Sequence, residues 1–457
     1  MAGKSFELRG KSLIHFMLLL VVCPAYVLLG YNNAVMGGLL TLPSFLATFP
    51  SIDTVSTAGT PAEAKNARIQ GTVVALYTVG CMMGSLSCYV LGDRLGRIRT
   101  IAVGSVLLII GSILLAASFS LAQLIVGRLV LGSGFGMLSA TVPVWQSESS
   151  PAEHRGALVV LEGLFASAGL AISQWVDLEM YFVDNAASWR FPLALPILFA
   201  LVILAVLPFL PDSPRWLVKA GKIQEARHVL ALLEDVTEDA PVINQDLAKM
   251  QRSIAETGKG DFRSLLRNGE NRLFNRTLLA MFSTFSQQIN GIGVIGFYTT
   301  TIFEELLGLS PVVARVLSGC IYMWQLSNTL VAFYTIDRIG RRKLMMFGNL
   351  GMGVMFIIVA GGISQAEHNK ACAIVAAICV FLIATFFGIG ALGINYLYGT
   401  EVAPLSHRVP IYALTSATLW TFNFLVVEVT PVGFSNLGYK FFIVFAVVDT
   451  CLLFPGE

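Results

Sequence analysis

Apolar residues gather in long runs along this chain, at 12–38, 70–91, 100–119, 121–145, 156–182, 190–210, 277–302, 311–335, 344–363, 371–397, 409–432 and 438–455. A helix needs about 20 apolar residues to cross the hydrocarbon core of a bilayer. Backbone N–H and C=O groups in lipid must bond within their own segment, so each run is predicted to be a membrane-spanning helix. The first run follows Lys4, Arg9 and Lys11 and has no small-residue cleavage site behind a short apolar stretch. It is expected to be a retained helix and not a signal peptide. One polar stretch, 211–275, breaks the rhythm and holds about a third of the charged residues. Within it, Ile223–Leu233 has the spacing of an amphipathic helix. The expected fold is an all-α polytopic membrane protein of twelve transmembrane helices. Residues 1–210 would form one six-helix bundle, 211–275 a charged and partly helical cytoplasmic linker, and 276–457 a second six-helix bundle.

Composition narrows the function classes. Hydrophobic residues make up 55% of the 457 positions and charged residues 13%, about half the charge of an ordinary soluble domain. This excludes a soluble enzyme and a disordered chain. A net charge of +2 gives no reason to expect a polyanion, and nucleic acid is not expected as a partner. The seven cysteines lie mostly inside apolar runs with no metal-ligand spacing, so they read as small core residues without disulfides. The five histidines sit mostly at loops and ends, and no catalytic or metal cluster and no cofactor is expected.

Basic residues set the orientation. Arg94, Arg97 and Arg99 follow run 2, Arg155 follows run 4, Arg338, Arg341, Arg342 and Lys343 follow run 8, and Arg408 follows run 10. The alternate loops carry few, which puts both termini in the cytoplasm. Two motifs recur in order at a nearly constant offset. Asp93-Arg94-Leu95-Gly96-Arg97 is matched by Asp337-Arg338-Ile339-Gly340-Arg341, and Glu148-x-x-Pro151-x-x-x-Arg155 by Glu401-x-x-Pro404-x-x-x-Arg408. A duplicated half explains them. Their acids and arginines share one membrane face, where pairing would close the cytoplasmic side of a gate. Gly96 and Gly340 are expected to permit tight turns between helices.

With these motifs the chain resembles the sugar porter family of the major facilitator superfamily, fungal sugar and polyol transporters in particular. Gly30-Tyr31-Asn32-Asn33, Gly127-Arg128, Pro143-Val144-Trp145-Gln146-Ser147-Glu148, Pro211-Asp212-Ser213-Pro214-Arg215-Trp216-Leu217, Gln287-Gln288-x-x-Gly291, and Trp420 with Asn423 carry the resemblance. It implies a central cavity between two bundles and movement of a monosaccharide or related polyhydroxylated solute by alternating access. It places Gln287, Gln288, Gln325, Tyr298, Tyr396, Asn423, Trp420, Asn32 and Gly163 at the substrate. The chain departs from the family at Gly293, where an Asn is usual, at Asn395-Tyr396, where Pro-Trp is usual, and at Gly163 beside Glu162, where a Gln is common.

Coupling turns on Asn32, which stands where proton-coupled members carry an Asp near the arginine matching Arg128. Asn cannot titrate, so facilitated diffusion is expected. The alternative is proton symport with Glu162 pairing with Arg128. A carrier of a less polar metabolite and a transport-dead nutrient sensor also stay open. Gly291-Ile292-Gly293-Val294-Ile295-Gly296 fits a dinucleotide fingerprint but lies inside a span, so its glycines are expected to bend or pack helices. The chain ends at Phe454-Pro455-Gly456-Glu457, where family members continue, so a shortened carboxyl terminus is expected. The expected partners are a sugar or polyol, the lipid bilayer and protons if coupled. A monomer in the plasma membrane is expected, with the vacuolar membrane as the alternative.

Overall fold

The computed structural model describes residues 8–150, 155–257, 265, 272–366, 368–392, 402 and 408–452. Where lipid offers backbone groups no other partner, helix is the economical solution, and the described residues hold no β-strand. The long helices are α1 (Gly10–Leu39), α2 (Glu63–Leu95), α3 (Arg97–Ala116), α4 (Leu121–Ser149), α5 (Arg155–Tyr181) and α6 (Ala187–Phe209). They continue with α7 in two pieces (Leu273–Ile289 and Ile292–Thr301), α8 (Pro311–Ile339), α9 (Arg341–Ser364), α10 (Lys370–Gly390), α11 (Arg408–Leu437) and α12 (Lys440–Cys451).

Eight of these are long and apolar enough to span a membrane by themselves among the described residues. Two of the others have visible reasons to fall short: α7 is broken at Asn290–Gly291, and α12 is 12 residues long. Ends follow ordinary capping chemistry: the Ser120 hydroxyl accepts from the Gln123 N–H before α4, and Asn369 accepts from the Ala371 N–H before α10. Gly96 and Gly340 take φ of 90° and 89° at their turns, a region closed to most side chains.

The packing repeats. In the first set α1 lies on α5, α4 lies between α2 and α3, and α6 covers α3. In the second set α7 lies on α11, α10 lies between α8 and α9, and α12 covers α9. The sets meet where α2 faces α11, where α5 faces α8, and where α1 meets the second piece of α7. Advancing every helix by six converts one list into the other. The predicted amphipathic segment forms Ile223–Glu234, which buries Ala226, Val229, Leu230 and Leu233 in the same core as Leu13 and Met17 of α1. All seven cysteines are free.

Within each set, small residues let backbones touch. Gly80 and Gly84 of α2 face Gly132 and Gly136 of α4. A Cβ on Gly132 would come 2.1 Å from the Tyr77 carbonyl oxygen, and one on Gly84 would come 2.1 Å from that of Ser133. Gly132→Leu is therefore expected to separate α2 from α4, at a cost above the usual ~1–3 kcal/mol of overpacking. A fluorescent fusion run on size exclusion should lose its monodisperse peak, while Gly296→Ala, where a Cβ meets nothing within 4 Å, should keep it.

Candidate functional site

Six helices, α1, α5, α7, α8, α10 and α11, surround a cavity of about 110 Å³ at the seam between the two sets. The break in α7 shapes it. Asn290 turns its Oδ1 onto the Ile292 N–H (3.1 Å), and Gly291 takes φ 83° with Phe445 against it. The next turn then presents Gly293 and Gly296 to the cavity as bare backbone. The glycines of the apparent dinucleotide fingerprint thus bend a helix and open space.

Of the predicted substrate residues, Gln287, Gln288, Gln325, Asn423, Trp420 and Gly163 line this cavity together with Glu162. Gln287 donates through Nε2 to the carbonyls of Ala391 and Leu392 at the end of α10, 3.3 Å each. Both partners only accept, which fixes the amide with its Oε1 turned away and unpaired. Asn423 donates through Nδ2 to Gln288 Oε1 (2.6 Å), leaving its own Oδ1 unpaired. Trp420 lines the cavity and also seats its ring edge-on to Tyr77 and Phe135 of the first set.

Two expected residues lie elsewhere. Asn32 points into its own helix, donating to the Leu28 carbonyl at 3.0 Å, and does not line the cavity. Its neighbour Asn33 does, with Oδ1 buried and unpaired. Tyr298 donates to the Val427 carbonyl (3.1 Å) in the α7–α11 seam, while Phe297 faces the cavity. One residue turns a helix by about 100°, so a neighbour takes the wall position in each case. Tyr396 lies outside the described residues. Sequence reasoning also missed Tyr26 and Tyr322, which line the cavity. Tyr26, Gly30 and Asn33 are spaced as one helical face, a signal that was available.

The expected pairing of Glu162 with Arg128 is not formed. Arg128 is buried between α4 and α2. It donates to the Val74 carbonyl at 2.7 Å and the Val73 carbonyl at 3.4 Å, and its guanidinium lies 5.0 Å from the Tyr77 ring centre. Glu162 instead accepts from the Tyr26 hydroxyl at 2.6 Å. Depth explains this: Arg128 sits two turns from one end of the bundle and Glu162 two turns from the other, about 10 Å in from opposite faces. Among the described residues no Lys, Arg or His lines the cavity.

At the basic end of the first set, the motifs converge. Arg97 donates through Nε and Nη2 to both Glu148 oxygens (3.0 and 3.2 Å) and through Nη1 to the Gly92 carbonyl. Asp93 lies 3.6 Å from Arg97 and 2.6 Å from Lys219 Nζ. The segment 211–217 completes the brace. Asp212 accepts from the Arg97 backbone N–H, Trp216 donates to the Asp93 carbonyl, and Trp145 donates to the Pro211 carbonyl. Burial pushes the Asp212 carboxyl above its ordinary value, opposed by N–H bonds from Ser213 and Arg97 and by the Arg97 charge. These pairs all join α2, α3, α4 and the 211–219 segment, within one set and its adjoining linker. Arg94, Arg338 and Arg342 are exposed at the surface. Glu401 and the side chains of Arg155, Asp337, Arg341 and Arg408 lie outside the described residues.

The profile of the family described as Sugar (and other) transporter matches residues 18–454. The chain belongs to this family. It is 35% identical over 435 residues to the MFS-type transporter oryC of Aspergillus oryzae, covering 93% of this chain and 79% of the relative. It is 33% identical over 448 residues to the Sugar transporter STL1 of Saccharomyces cerevisiae, covering 97% and 78%. In three dimensions it matches the partially occluded inward-open xylose transporter XylE from E. coli with a TM-score of 0.79, at 21% identity, covering 98% of this chain and all of that one. The fold is thus that of the major facilitator transporters. The chain is an integral, multi-pass membrane transporter and not an enzyme, as the runs and motifs led us to expect.

The brace generates a prediction. Arg97 and Glu148 expose only 6% and 9% of their side chains, and removing one partner of a buried pair strands the other. Glu148→Gln is expected to cost about 3 kcal/mol and to lower the melting temperature of the detergent-solubilised protein by several degrees. Asp246→Asn, whose lysine partner is exposed, should leave it unchanged.

Proposed function

We propose that this protein moves a neutral polyhydroxylated solute, a monosaccharide or polyol, across the plasma membrane by facilitated diffusion through alternating access. One observation carries the reading. Three amide oxygens, on Asn33, Gln287 and Asn423, are buried around the cavity without partners, and no cationic side chain lines it among the described residues. Unpaired buried acceptors are costly and call for donors. A ring of hydroxyls supplies such donors, whereas a carboxylate or phosphate would meet oxygens. The relatives agree in kind, being named a sugar transporter and a low-affinity glucose transporter. In this reading Gln287, Gln288, Gln325 and Asn423 hold the solute, with Tyr396 expected beside them. Gly163 and Gly293 widen the cavity. Residues 1–210 and 276–457 rock about it, bridged by 211–275 in the cytoplasm. The Arg97–Glu148 brace keeps the cytoplasmic ends of α2, α3 and α4 together as one body, and the motif at 337–342 with Glu401 and Arg408 serves the other.

A second reading, proton symport, is favoured by Glu162, a carboxylate on the cavity wall held by the Tyr26 hydroxyl. Asn32 cannot take up that role, being an amide bonded into its own helix.

Uptake of labelled hexoses, pentoses and polyols into transporter-deficient cells, at pH 5 and pH 7 with and without a protonophore, tests both readings. Facilitation predicts saturable uptake that ignores the protonophore and survives Glu162→Gln. Symport predicts collapse with either. Gln287→Ala should reduce sub-saturating uptake roughly 10- to 100-fold, the loss expected for a buried hydrogen-bonding partner. A sugar phosphate should not compete; competition by it, or no uptake of any hydroxylated solute, would overturn the proposal.

A further inference from the structure

Arg315 is the largest charged group at the seam between the two helix sets, and neither the brace nor the cavity uses it. It stands in the first turns of α8 and is 1% exposed. Its Nη1 donates to Glu304 Oε2 at 3.1 Å and to the Pro311 carbonyl, both of its own set. Its Nη2 crosses the seam, donating to Thr41 Oγ1 at 2.7 Å and towards the Gly38 carbonyl at 3.4 Å at the end of α1. The guanidinium also lies 4.2 Å from the ring centre of Tyr181, at the end of α5. Asp177 lies one turn down α5, buried against Gly38, where a Cβ would come within 2.6 Å of its carboxylate. One cation thus ties together the ends of three helices from both sets.

Its position relative to the cavity is consistent on every helix. The cavity is lined up to Asn33 on α1, Leu170 on α5, Phe297 on α7 and Tyr322 on α8. Thr41, Asp177, Glu304 and Arg315 each lie seven or eight residues further toward the same end, about 10 Å along the axis. That end is opposite the arginine brace. We propose that Arg315 is the residue that closes the external entrance of the transport pathway, by docking into the Thr41–Gly38–Tyr181 socket of the opposing set. The arrangement is reversible by construction. Glu304 and the Pro311 carbonyl travel with Arg315, so a charge leaving the socket keeps its anion and is not stranded. The interactions lost on opening are two hydrogen bonds, a ring contact and the charge attraction of Asp177, all between the sets, and the water that enters replaces them.

The inference rests on the family membership and not on the identity of the solute, and its test needs no substrate. Leu170→Cys on the cavity wall serves as reporter, with intact cells exposed to a membrane-impermeant thiol reagent and labelling compared with a parent that keeps Leu170. Arg315→Met is expected to raise the external labelling rate about tenfold, corresponding to roughly 1.4 kcal/mol of lost closure. Arg315→Lys, which keeps the charge but loses the fork, should fall between. Thr41→Val leaves Arg315 and Glu304 in place and removes only the hydroxyl of the socket; an increase of about threefold is expected. Surface expression is scored for each. If Arg315→Met fails to reach the membrane, Thr41→Val decides: raised labelling supports the proposal and unchanged labelling overturns it. Labelling unchanged in both variants overturns it outright. Should labelling rise while no sugar or polyol is ever transported, the closure would stand and the substrate assignment would fall.

Discussion

A guanidinium held away from water needs oxygen atoms around it in every state the protein visits, because an unpaired buried charge costs several kcal/mol. Three arginines in this transporter meet that constraint differently. Arg128 is surrounded by carbonyls of one neighbouring helix and a tyrosine ring, all within a single set. Arg97 takes both oxygens of Glu148 and a backbone carbonyl, again within one set. Arg315 divides its bonds, keeping an acid of its own set and reaching across the seam for the rest. The first two weld helices into rigid bodies. The third has a partner it can leave and a partner it cannot, which is the property a moving contact requires.

Close packing holds each set together, and the seam between the sets adds polar contacts to it. Inside a set, glycines bring α2 and α4 into backbone contact, an arrangement that tolerates no added methyl and therefore no sliding. Between the sets, glycines also meet backbone, Gly37 at the Phe297 carbonyl and Gly71 at the Glu428 carbonyl, and polar contacts lie among them: Thr72 with Glu428, Ser167 near Thr329, Thr300 with Gln174, Ser416 with Ser85. Hydroxyl hydrogen bonds of this kind exchange for water at small cost as the seam opens. The cavity lies in the same plane, so polar groups that would be expensive elsewhere in a bundle are placed where substrate or water can satisfy them.

The cavity itself depends on the interruption of α7. A continuous helix would bury its backbone groups and present side chains; the turn at Asn290–Gly291 presents Gly293 and Gly296 as open wall. At Gly293 and Gly163 the family's usual amide side chains are absent, so polarity comes instead from the amides of Gln287, Asn33 and Asn423 and from Glu162. Three of these present unpaired oxygens, and the fourth is an acid. With three unpaired acceptors and, among the described residues, no cation on its wall, the cavity favours hydroxyl donors by the same rule that made those oxygens costly to bury.

Much of this was legible along the chain. The apolar runs are long because the hydrocarbon is thick, the arginines mark one face because charge is costly to move across a membrane, and the duplicated motifs report duplicated packing; none of these requires knowing which residues touch. The glutamine pair and Asn423 were legible by resemblance. The sequence by itself did not determine rotation and depth. Asn32 and Asn33 differ by one position and therefore by about 100° around a helix, so the choice between a wall residue and an internal hydrogen bond was made by how α1 sits on α5. Glu162 and Arg128 look like a charge pair on paper, yet α4 and α5 run in opposite directions and carry them near opposite faces. Arg315, Thr41 and Tyr181 are far apart in the chain, and only the meeting of two helix sets, decided by glycine contacts and by the bend in α7, brings a cation of one into a socket of the other.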